Sequence, residues 1–147
     1  MRNKESLPVT PELILVVSML REGEGLKLTA YPDAGGLSIG YGHHLQPGES
    51  TRTITSSRAE QLLLQDANAA WAAAGKVLGY NNPQGRIVYT CMVYQLGVAG
   101  AKAHTETISH LLAGEYKLAG AEMHNSKWFT QTPKRVLMLE RYLNSSR

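Results

Sequence analysis

Two acidic residues near the N-terminus have a spacing that suits acid–base chemistry. Glu24 lies where a helical pattern runs into glycine, and Asp33 follows nine positions later among turn-forming residues. Cleavage of a glycosidic bond needs one acid that protonates the leaving oxygen, and a second polar group that manages a water or stabilises the sugar cation. A carboxyl group that is partly desolvated at a helix end can keep its proton near neutral pH. Two acids at this spacing are more often solvated surface groups, so the spacing alone does not establish a site.

The elements around these acids predict a helix followed by a small hairpin. Residues 10–20 begin with a hydroxyl cap and a proline and continue with apolar residues at helical spacing. Residues 26–31 alternate apolar and polar side chains as a strand does, residues 32–36 are typical of a turn, and residues 37–40 predict the returning strand. Glu24 is thus expected at a helix end and Asp33 in the hairpin turn.

The remainder of the chain predicts helices. Residues 84–96 are apolar on nearly every face, which indicates a buried central helix. The other predicted helices cover residues 55–75, 105–113, 116–123 and a segment that starts at Thr132-Pro133. The fold class is therefore α+β, in one domain of residues 1–147. We expect a small N-terminal hairpin lobe (about residues 13–54), a connecting helix (about 55–75) and a larger, mainly helical lobe (about 76–147).

Composition excludes several classes of protein. The chain has 147 residues, of which 43% are hydrophobic and 18% charged, as in a soluble globular domain. The net charge of +3 comes without a basic run interleaved with aromatic residues, so no nucleic-acid partner is expected. Cys91 is the single cysteine and is interpreted as a small buried hydrophobe. No signal peptide or transmembrane segment is expected, and the role of residues 1–8 stays open.

The sequence around the two acids resembles the active-site segment of phage-type lysozymes (glycoside hydrolase family 24). In that family a catalytic Glu is followed nine positions later by an Asp, and then by a Thr-Ile-Gly-x-Gly-His strand. Residues 24–33 and the SIGYGH run of residues 38–43 match this order. Further segments similar to the family's lie in the same order along the chain, at residues 54–67, 92–97 and 126–135. The resemblance implies a lysozyme-like fold.

The resemblance also implies roles for individual residues. Glu24 corresponds to the general acid, and Asp33 to the carboxylate that positions or activates water, or stabilises charge on the sugar. Ser38 falls where the family has a Thr whose hydroxyl helps to hold the water. Arg135 matches an Arg that pairs with the catalytic Glu, and burial must balance this pairing if the acid is to keep its proton. Glu22, the competing acid, is interpreted as a surface group.

Substrate-binding positions are implied as well. Tyr94 and Gln95 match residues that line the family's sugar-binding cleft, and Thr107 and Glu122 fall at further cleft positions. Trp128 is expected in the core rather than as a sugar platform.

Two departures from the family pattern affect the hairpin. Ser38 keeps the hydroxyl oxygen of the family's Thr but lacks the methyl group that restricts its rotamer. Only four residues separate Asp33 from Ser38, where the family has five. A deletion of one residue in a hairpin reverses side-chain facing on one strand unless the turn absorbs the change. Gly35 and Gly36 are candidates to absorb it.

Two adjacent histidines suggest a metal site, with Glu49 or Asp66 as a third ligand. Neighbouring residues of an extended segment point to opposite faces, so His43 and His44 are not expected to bind one ion. We expect no metal. The resemblance implies an alternative, in which His43 pairs with Asp66 and the pKa of His43 is higher than that of a free imidazole.

The resemblance implies an endolysin that is monomeric and needs no cofactor. Such an enzyme hydrolyses, with inversion, the β-1,4 bond between N-acetylmuramic acid and N-acetylglucosamine in peptidoglycan. It would be made in the host cytoplasm and act in the periplasm, after a separate protein has made a membrane lesion. Two alternatives stay open: a lytic transglycosylase on the same fold, and a non-catalytic module that binds peptidoglycan.

Overall fold

The computed structural model describes residues 10–33 and 35–145. Residues 1–8, whose role the sequence leaves open, lie outside this part. The chain divides into two compact units, Met1–Ala69 and Ala70–Arg147. The division falls inside the long helix that the sequence predicts as the connection between two lobes. The predicted lobe boundaries stay a prediction.

The described residues form a short helix, a small sheet and then a series of helices, which confirms the predicted α+β class. In chain order the elements are α1 (Pro11–Glu24), β1 (Lys27–Asp33), β2 (Gly36–Gly40), β3 (His43–His44), α2 (Ser56–Leu78), α3 (Pro83–Lys102), α4 (Thr105–Leu112), α5 (Tyr116–His124), α6 (Lys127–Gln131) and α7 (Pro133–Ser145).

Helix α1 begins and ends where its sequence predicts. The Thr10 hydroxyl accepts a hydrogen bond from the Leu13 amide at 3.1 Å, and Pro11 occupies the first turn, where its missing amide proton costs nothing. The helix ends at Glu24 because Gly25 takes a positive φ of 74°. This cap fixes Glu24 as the last helical residue before the sheet.

The sheet is a three-stranded antiparallel meander in the order β1-β2-β3. Strand β1 continues through Pro32 to Asp33, two residues beyond its predicted end, and Asp33 pairs with Gly36. The turn predicted for residues 32–36 is therefore too long, since two residues connect these strands. Pro32 is tolerated because β1 is an edge strand. Strand β3 was not predicted as an element of its own.

Helix α2 is longer than its sequence predicts. The Thr55 hydroxyl caps it by accepting a hydrogen bond from the Arg58 amide at 3.0 Å. The predicted stop at Gly75 is wrong, because the helix continues to Leu78. Gly75 is buried inside the helix, and a Cβ built on it would lie 2.7 Å from the Arg86 Nη2 atom. The glycine thus makes room for a side chain of the next helix and does not end its own.

The Arg86 guanidinium that lies against Gly75 is buried between aromatic rings. Its Nε and Nη2 atoms donate to the Trp71 carbonyl at 3.1 and 2.8 Å. Its central carbon lies 3.8 Å from the centroid of the Trp71 ring and 4.9 Å from that of Tyr80. Arginine suits such a place because its planar cation stacks on aromatic faces while its edge donates hydrogen bonds.

Helix α3 is the buried central helix that the sequence predicts, since residues 85–93 are all buried. It extends past the predicted end at residue 96 to Lys102, with a kink at Gly97, whose φ is 78°. Asn82 caps its start: the side-chain oxygen accepts from the Gly85 amide at 3.0 Å and from the Tyr116 hydroxyl. The Asn82 amide also donates to the Leu111 carbonyl, so one side chain links α3 to α4 and α5.

The C-terminal helices pack around one another within the second unit. Helix α5 contacts α4 and α7, and α7 also contacts α3 and α6. Helix α6 was not predicted, although Ser126 caps it by accepting a hydrogen bond from the Phe129 amide. Trp128 is 3% exposed, which agrees with the core position expected for it. Within residues 10–33 and 35–145, no helix is both long and apolar enough to cross a bilayer.

The contact between Gly75 and Arg86 predicts an unusual response to Gly75→Ala. A glycine-to-alanine change inside a helix normally stabilises it by about 1 kcal/mol. Here we expect the free energy of unfolding to fall by about 1–2 kcal/mol, because the new methyl group overlaps the guanidinium. The measurement is urea unfolding of a double-mutant cycle, which consists of the wild type, Gly75→Ala, Arg86→Leu and the double variant. The loss should shrink or reverse in the Arg86→Leu background, and an equal loss in both backgrounds would contradict the explanation.

Candidate active site

The predicted acid, Glu24, lies at the carboxyl end of α1 and is half-buried. Glu22, the competing acid, is exposed, which agrees with its interpretation as a surface group. The carbonyl groups at this end of a helix carry partial negative charge, so the position disfavours an additional anion. Of the two acids near the end of α1, Glu24 is thus the one that is partly shielded from solvent.

The helix that carries Glu24 is fastened to α2 within the first unit. The Arg21 guanidinium donates to both carboxylate oxygens of Glu60, at 3.0 and 2.8 Å. Tyr41, which follows β2, also forms a hydrogen bond with Glu60. The hydrogen bonds from Arg21 hold the pKa of Glu60 below its usual value. The pair is about 40% exposed, so its energy is modest, and its two-point geometry serves chiefly to fix the orientation of α1 on α2.

The register of the sheet decides which side chains face one another. Tyr31 pairs with Ser38, and Ser38 pairs with His44, so these three residues share one face. Asp33 is two positions from Tyr31 along β1 and therefore lies on the same face. The Ile39–His43 pair lies on the opposite face. The two adjacent histidines point away from each other, as expected for neighbours in an extended segment.

A chain of hydrogen bonds runs across the first of these faces. The Ser38 hydroxyl donates to Asp33 Oδ2 at 3.1 Å, and Ser38 Oγ lies 3.0 Å from His44 Nδ1. Ser38 is fully buried, whereas Asp33 and His44 are exposed. Two residues that the sequence assigns to catalysis, Asp33 and Ser38, are therefore in direct contact. His44 was not assigned to the site, and only the strand register reveals its contact with Ser38.

The two-residue connection between β1 and β2 absorbs the shortened spacing from Asp33 to Ser38. Asp33 and Gly36 form the last pair of the ladder, and Gly35 takes a positive φ of 83°, which glycine adopts without steric cost. Because Ser38 is two positions beyond Gly36, its side chain falls on the face that carries Asp33. The departure from the family's spacing thus leaves these two groups together.

The opposite face of β3 carries a histidine held by two carboxylates. His43 Nδ1 lies 2.6 Å from Asp66 Oδ2 on α2, which is the pairing expected from the sequence. His43 Nε2 lies 3.1 Å from Glu49 Oε1, a second partner that the sequence analysis considered only as a metal ligand. The Gln46 amide donates to the same Glu49 oxygen at 2.6 Å. His43 thereby ties the sheet to α2 and to the loop after β3.

Both carboxylates favour a positively charged His43. An ionised carboxylate can only accept hydrogen bonds, so each ring nitrogen must carry a proton. Burial alone would lower the pKa of His43, but the hydrogen bonds and charges of Asp66 and Glu49 together raise it. The Gln46 amide and His43 lower the pKa of Glu49. The cluster is therefore an imidazolium between two carboxylates.

The arrangement around His43 bears on the metal site that the adjacent histidines suggested. No group of three or more His, Cys, Asp or Glu residues among the described residues has an arrangement that holds an ion. His43 reaches its two carboxylates at hydrogen-bonding distance, and His44 lies on the other face of the sheet.

The remaining predicted site residues lie in the second unit. Tyr94 and Gln95 are half-buried on α3, and the Gln95 amide donates to the Thr132 hydroxyl at 3.0 Å. Thr107 on α4 is only 2% exposed, whereas Glu122 on α5 is exposed. Their substrate-binding roles stay predictions. The same holds for Arg135, which is half-buried on α7, and for its pairing with Glu24.

The charged His43 predicts a pH dependence of stability. Since its folded pKa is raised above 6.5, the stabilisation is complete below pH 6.5 and is lost as the pH rises through the folded value. We expect the difference in unfolding free energy between wild type and His43→Gln to be largest below pH 6.5 and to shrink as the pH rises above it. Urea unfolding measures this difference, and an NMR titration of His43 measures its pKa.

The control for this experiment is His124→Gln, which removes an exposed imidazole paired with Glu140 at the surface. Exposed pairs contribute little, so this variant should show a small effect at every pH. A His43 that titrates at or below 6.5 would contradict the ion-pair description.

Comparison with known proteins assigns the chain to a family. The profile of the family described as phage lysozyme matches residues 21–141. The chain is 31% identical over 122 residues to the peptidoglycan hydrolase gp36 of Pseudomonas phage phiKMV, an alignment that covers 80% of this chain and 14% of gp36. It is 29% identical over 110 residues to the endolysin of Bacillus phage PZA, covering 72% of this chain and 42% of that endolysin.

A third relative comes from a cellular organism and is matched over most of its length. The chain is 29% identical over 146 residues to the probable T4-type lysozyme 2 of Dictyostelium discoideum, covering 80% of this chain and 86% of that protein. The chain therefore spans less than half of the two phage relatives and most of the third. These matches confirm the resemblance seen in the sequence: the chain belongs to the phage lysozyme family, a family of glycoside hydrolases.

Proposed function

We propose that the protein is a muramidase that hydrolyses the β-1,4 bond between N-acetylmuramic acid and N-acetylglucosamine in peptidoglycan. The observation that carries the proposal is the hydrogen bond from Ser38 to Asp33, in a hairpin that directly follows the helix ending at Glu24. Membership of the phage lysozyme family supports it, as do relatives named peptidoglycan hydrolase, endolysin and lysozyme.

Glu24 is the proton donor in this proposal. A general acid for glycoside cleavage must be protonated at the working pH, which a desolvated site favours. Glu24 is half-buried, and the adjacent helix end disfavours an additional negative charge. As the glycosidic bond breaks, the Glu24 carboxyl group transfers its proton to the departing oxygen, which leaves as a hydroxyl group of the N-acetylglucosamine part.

Asp33 is the carboxylate that manages the water. It is exposed and is held through one oxygen by the Ser38 hydroxyl. Asp33 accepts a proton from the water that attacks the anomeric carbon from the face opposite the leaving group, which inverts the configuration at that carbon. Residues Tyr94, Gln95, Thr107 and Glu122 are proposed to contact the sugars, and Arg135 to pair with Glu24.

The same proposal includes the biological setting of the enzyme. It acts as a monomer on the bacterial cell wall and contributes to lysis of the host at the end of a phage cycle. The protein stays in the host cytoplasm before lysis and reaches the periplasm through a lesion made by a separate membrane protein. Its net charge of +3 favours adsorption to an anionic wall, and this attraction weakens as the salt concentration rises.

Replacement of Glu24 by Gln tests the proposed role of the acid. The substitution keeps the size of the side chain and removes the transferable proton, so we expect the initial rate of clearing to fall by a factor of about 100 or more. The measurement is the loss of turbidity of Gram-negative cells whose outer membrane has been permeabilised. Glu22→Gln is the matched control, because it makes the same charge change two residues away at an exposed position. It should clear cells within about twofold of the wild-type rate.

The masses of the soluble fragments separate the proposed function from its alternatives. Fragments that end in reducing muramic acid support a muramidase, whereas anhydro ends would assign the protein to the lytic transglycosylases. A folded wild-type protein that binds the wall and releases no fragments would overturn the proposal in favour of a binding module. Equal clearing by wild type and Glu24→Gln would remove Glu24 from the acid role.

A further inference from the structure

We propose that His44 is a positioning residue for the reaction: it fixes the direction of the Ser38 hydroxyl proton and thereby holds the Asp33 carboxylate in place. The inference rests on the proposed function, because it assigns His44 a part in the chemistry of Asp33. The observation behind it is the continuous contact from His44 Nδ1 to Ser38 Oγ and from Ser38 Oγ to Asp33 Oδ2.

The number of protons available fixes the direction of these two hydrogen bonds. A serine hydroxyl has one proton to donate and two lone pairs that accept. An ionised carboxylate only accepts, so the Ser38 proton points to Asp33 Oδ2 at 3.1 Å. The 3.0 Å contact between Ser38 Oγ and His44 Nδ1 then needs a proton on the histidine nitrogen. His44 must carry its proton on Nδ1, and Ser38 accepts it.

This arrangement gives Ser38 a different task from the one implied by the family resemblance. Its single proton is committed to Asp33, so the hydroxyl cannot also donate to a water, although it keeps one lone pair that accepts. Ser38 is fully buried, whereas Asp33 is exposed, so of these two hydrogen-bonded groups Asp33 is the one that a water reaches. Ser38 and His44 thus support Asp33, and Asp33 contacts the water.

The sheet holds His44 in this position. Its Cα is paired with that of Ser38 across the β2–β3 ladder, and its carbonyl accepts a hydrogen bond from the Gln46 side chain at 3.2 Å. The neighbouring His43 is bound on the opposite face to Asp66 and Glu49. A serine lacks the methyl group that restricts the rotamer of a threonine. The orientation of the Ser38 hydroxyl therefore depends more on a hydrogen bond from another residue.

Two variants of His44 test the proposal. His44→Leu removes the donor, whereas His44→Asn keeps an N–H group at nearly the distance of Nδ1 from the backbone. With soluble peptidoglycan fragments, we expect His44→Leu to lower kcat about tenfold with KM nearly unchanged, the effect expected for the loss of one hydrogen bond in a charged network. His44→Asn should recover most of this loss. In a Ser38→Ala background, His44→Leu should have little additional effect.

A spectroscopic measurement tests the hydrogen bond independently of activity. A long-range ¹H–¹⁵N NMR spectrum of the imidazole shows which ring nitrogen is protonated. In the neutral form of the His44 imidazole, we expect the proton to lie on Nδ1 in the wild type. This preference should weaken in Ser38→Ala. The control for loss of a histidine is His124→Leu on α5, which should leave kcat unchanged.

The outcomes separate this inference from the proposed function. An active wild type with an unprotonated Nδ1, or His44→Leu with wild-type kcat, overturns the role of His44 and leaves the muramidase proposal standing. A wild type that cleaves no peptidoglycan overturns the proposed function and the catalytic role of His44 together, even if the spectrum shows the Nδ1 proton. Thermal unfolding of each variant shows whether a lower kcat results from loss of the folded structure. If both His44 variants fail to fold and Nδ1 is unprotonated in the wild type, the inference is also overturned.

Discussion

The arrangement of the hairpin depends on one buried charge, the His43 imidazolium between Asp66 and Glu49. Its two ring nitrogens lie 2.6 and 3.1 Å from carboxylate oxygens that belong to different parts of the first unit, a helix and a loop. Burial of a charge is costly, and this charge is tolerated because both of its N–H groups have acceptors. The interaction fixes β3 on α2, and through β3 it fixes the strand that carries Ser38. A neutral imidazole at this position has one N–H group and could donate to only one of the two carboxylates.

Strand register extends this constraint to the residues that we propose for the chemistry. Consecutive side chains of a strand alternate between faces, so anchoring His43 on one face places His44 on the other, beside Ser38. Ser38 in turn meets Asp33, because the hairpin is closed by the pair of Asp33 with Gly36. A structural ion pair and a candidate catalytic chain thus occupy the two sides of the same short strand. Although only four residues separate Asp33 from Ser38, Ser38 lies on the face of Asp33, because it is two positions beyond Gly36, the partner of Asp33 in the ladder.

Much of the fold could be predicted from the sequence because local signals act over a few residues. Thr10 and Pro11 mark the start of α1, and the apolar run of residues 85–93 marks the buried helix. The signal failed at Gly75, since a glycine that ends a helix and a glycine that accommodates Arg86 are identical in sequence. For the site, the family pattern indicated Glu24, Asp33, Ser38 and the pairing of His43 with Asp66. The contacts of Glu49 with His43 and of His44 with Ser38 were missed, because they depend on loop geometry and strand register, which no local pattern reports.

We propose that Asp33, held by the Ser38 hydroxyl, directs a water straight at the anomeric carbon. The most direct measurement is ¹H NMR of the reducing sugar in the first moments of hydrolysis of a soluble β-1,4-linked peptidoglycan fragment, before its anomers equilibrate. Direct attack by water inverts the anomeric carbon, so we expect the α-anomer to form first. A β-anomer that forms first would mean retention through an intermediate and would contradict the assigned role of Asp33.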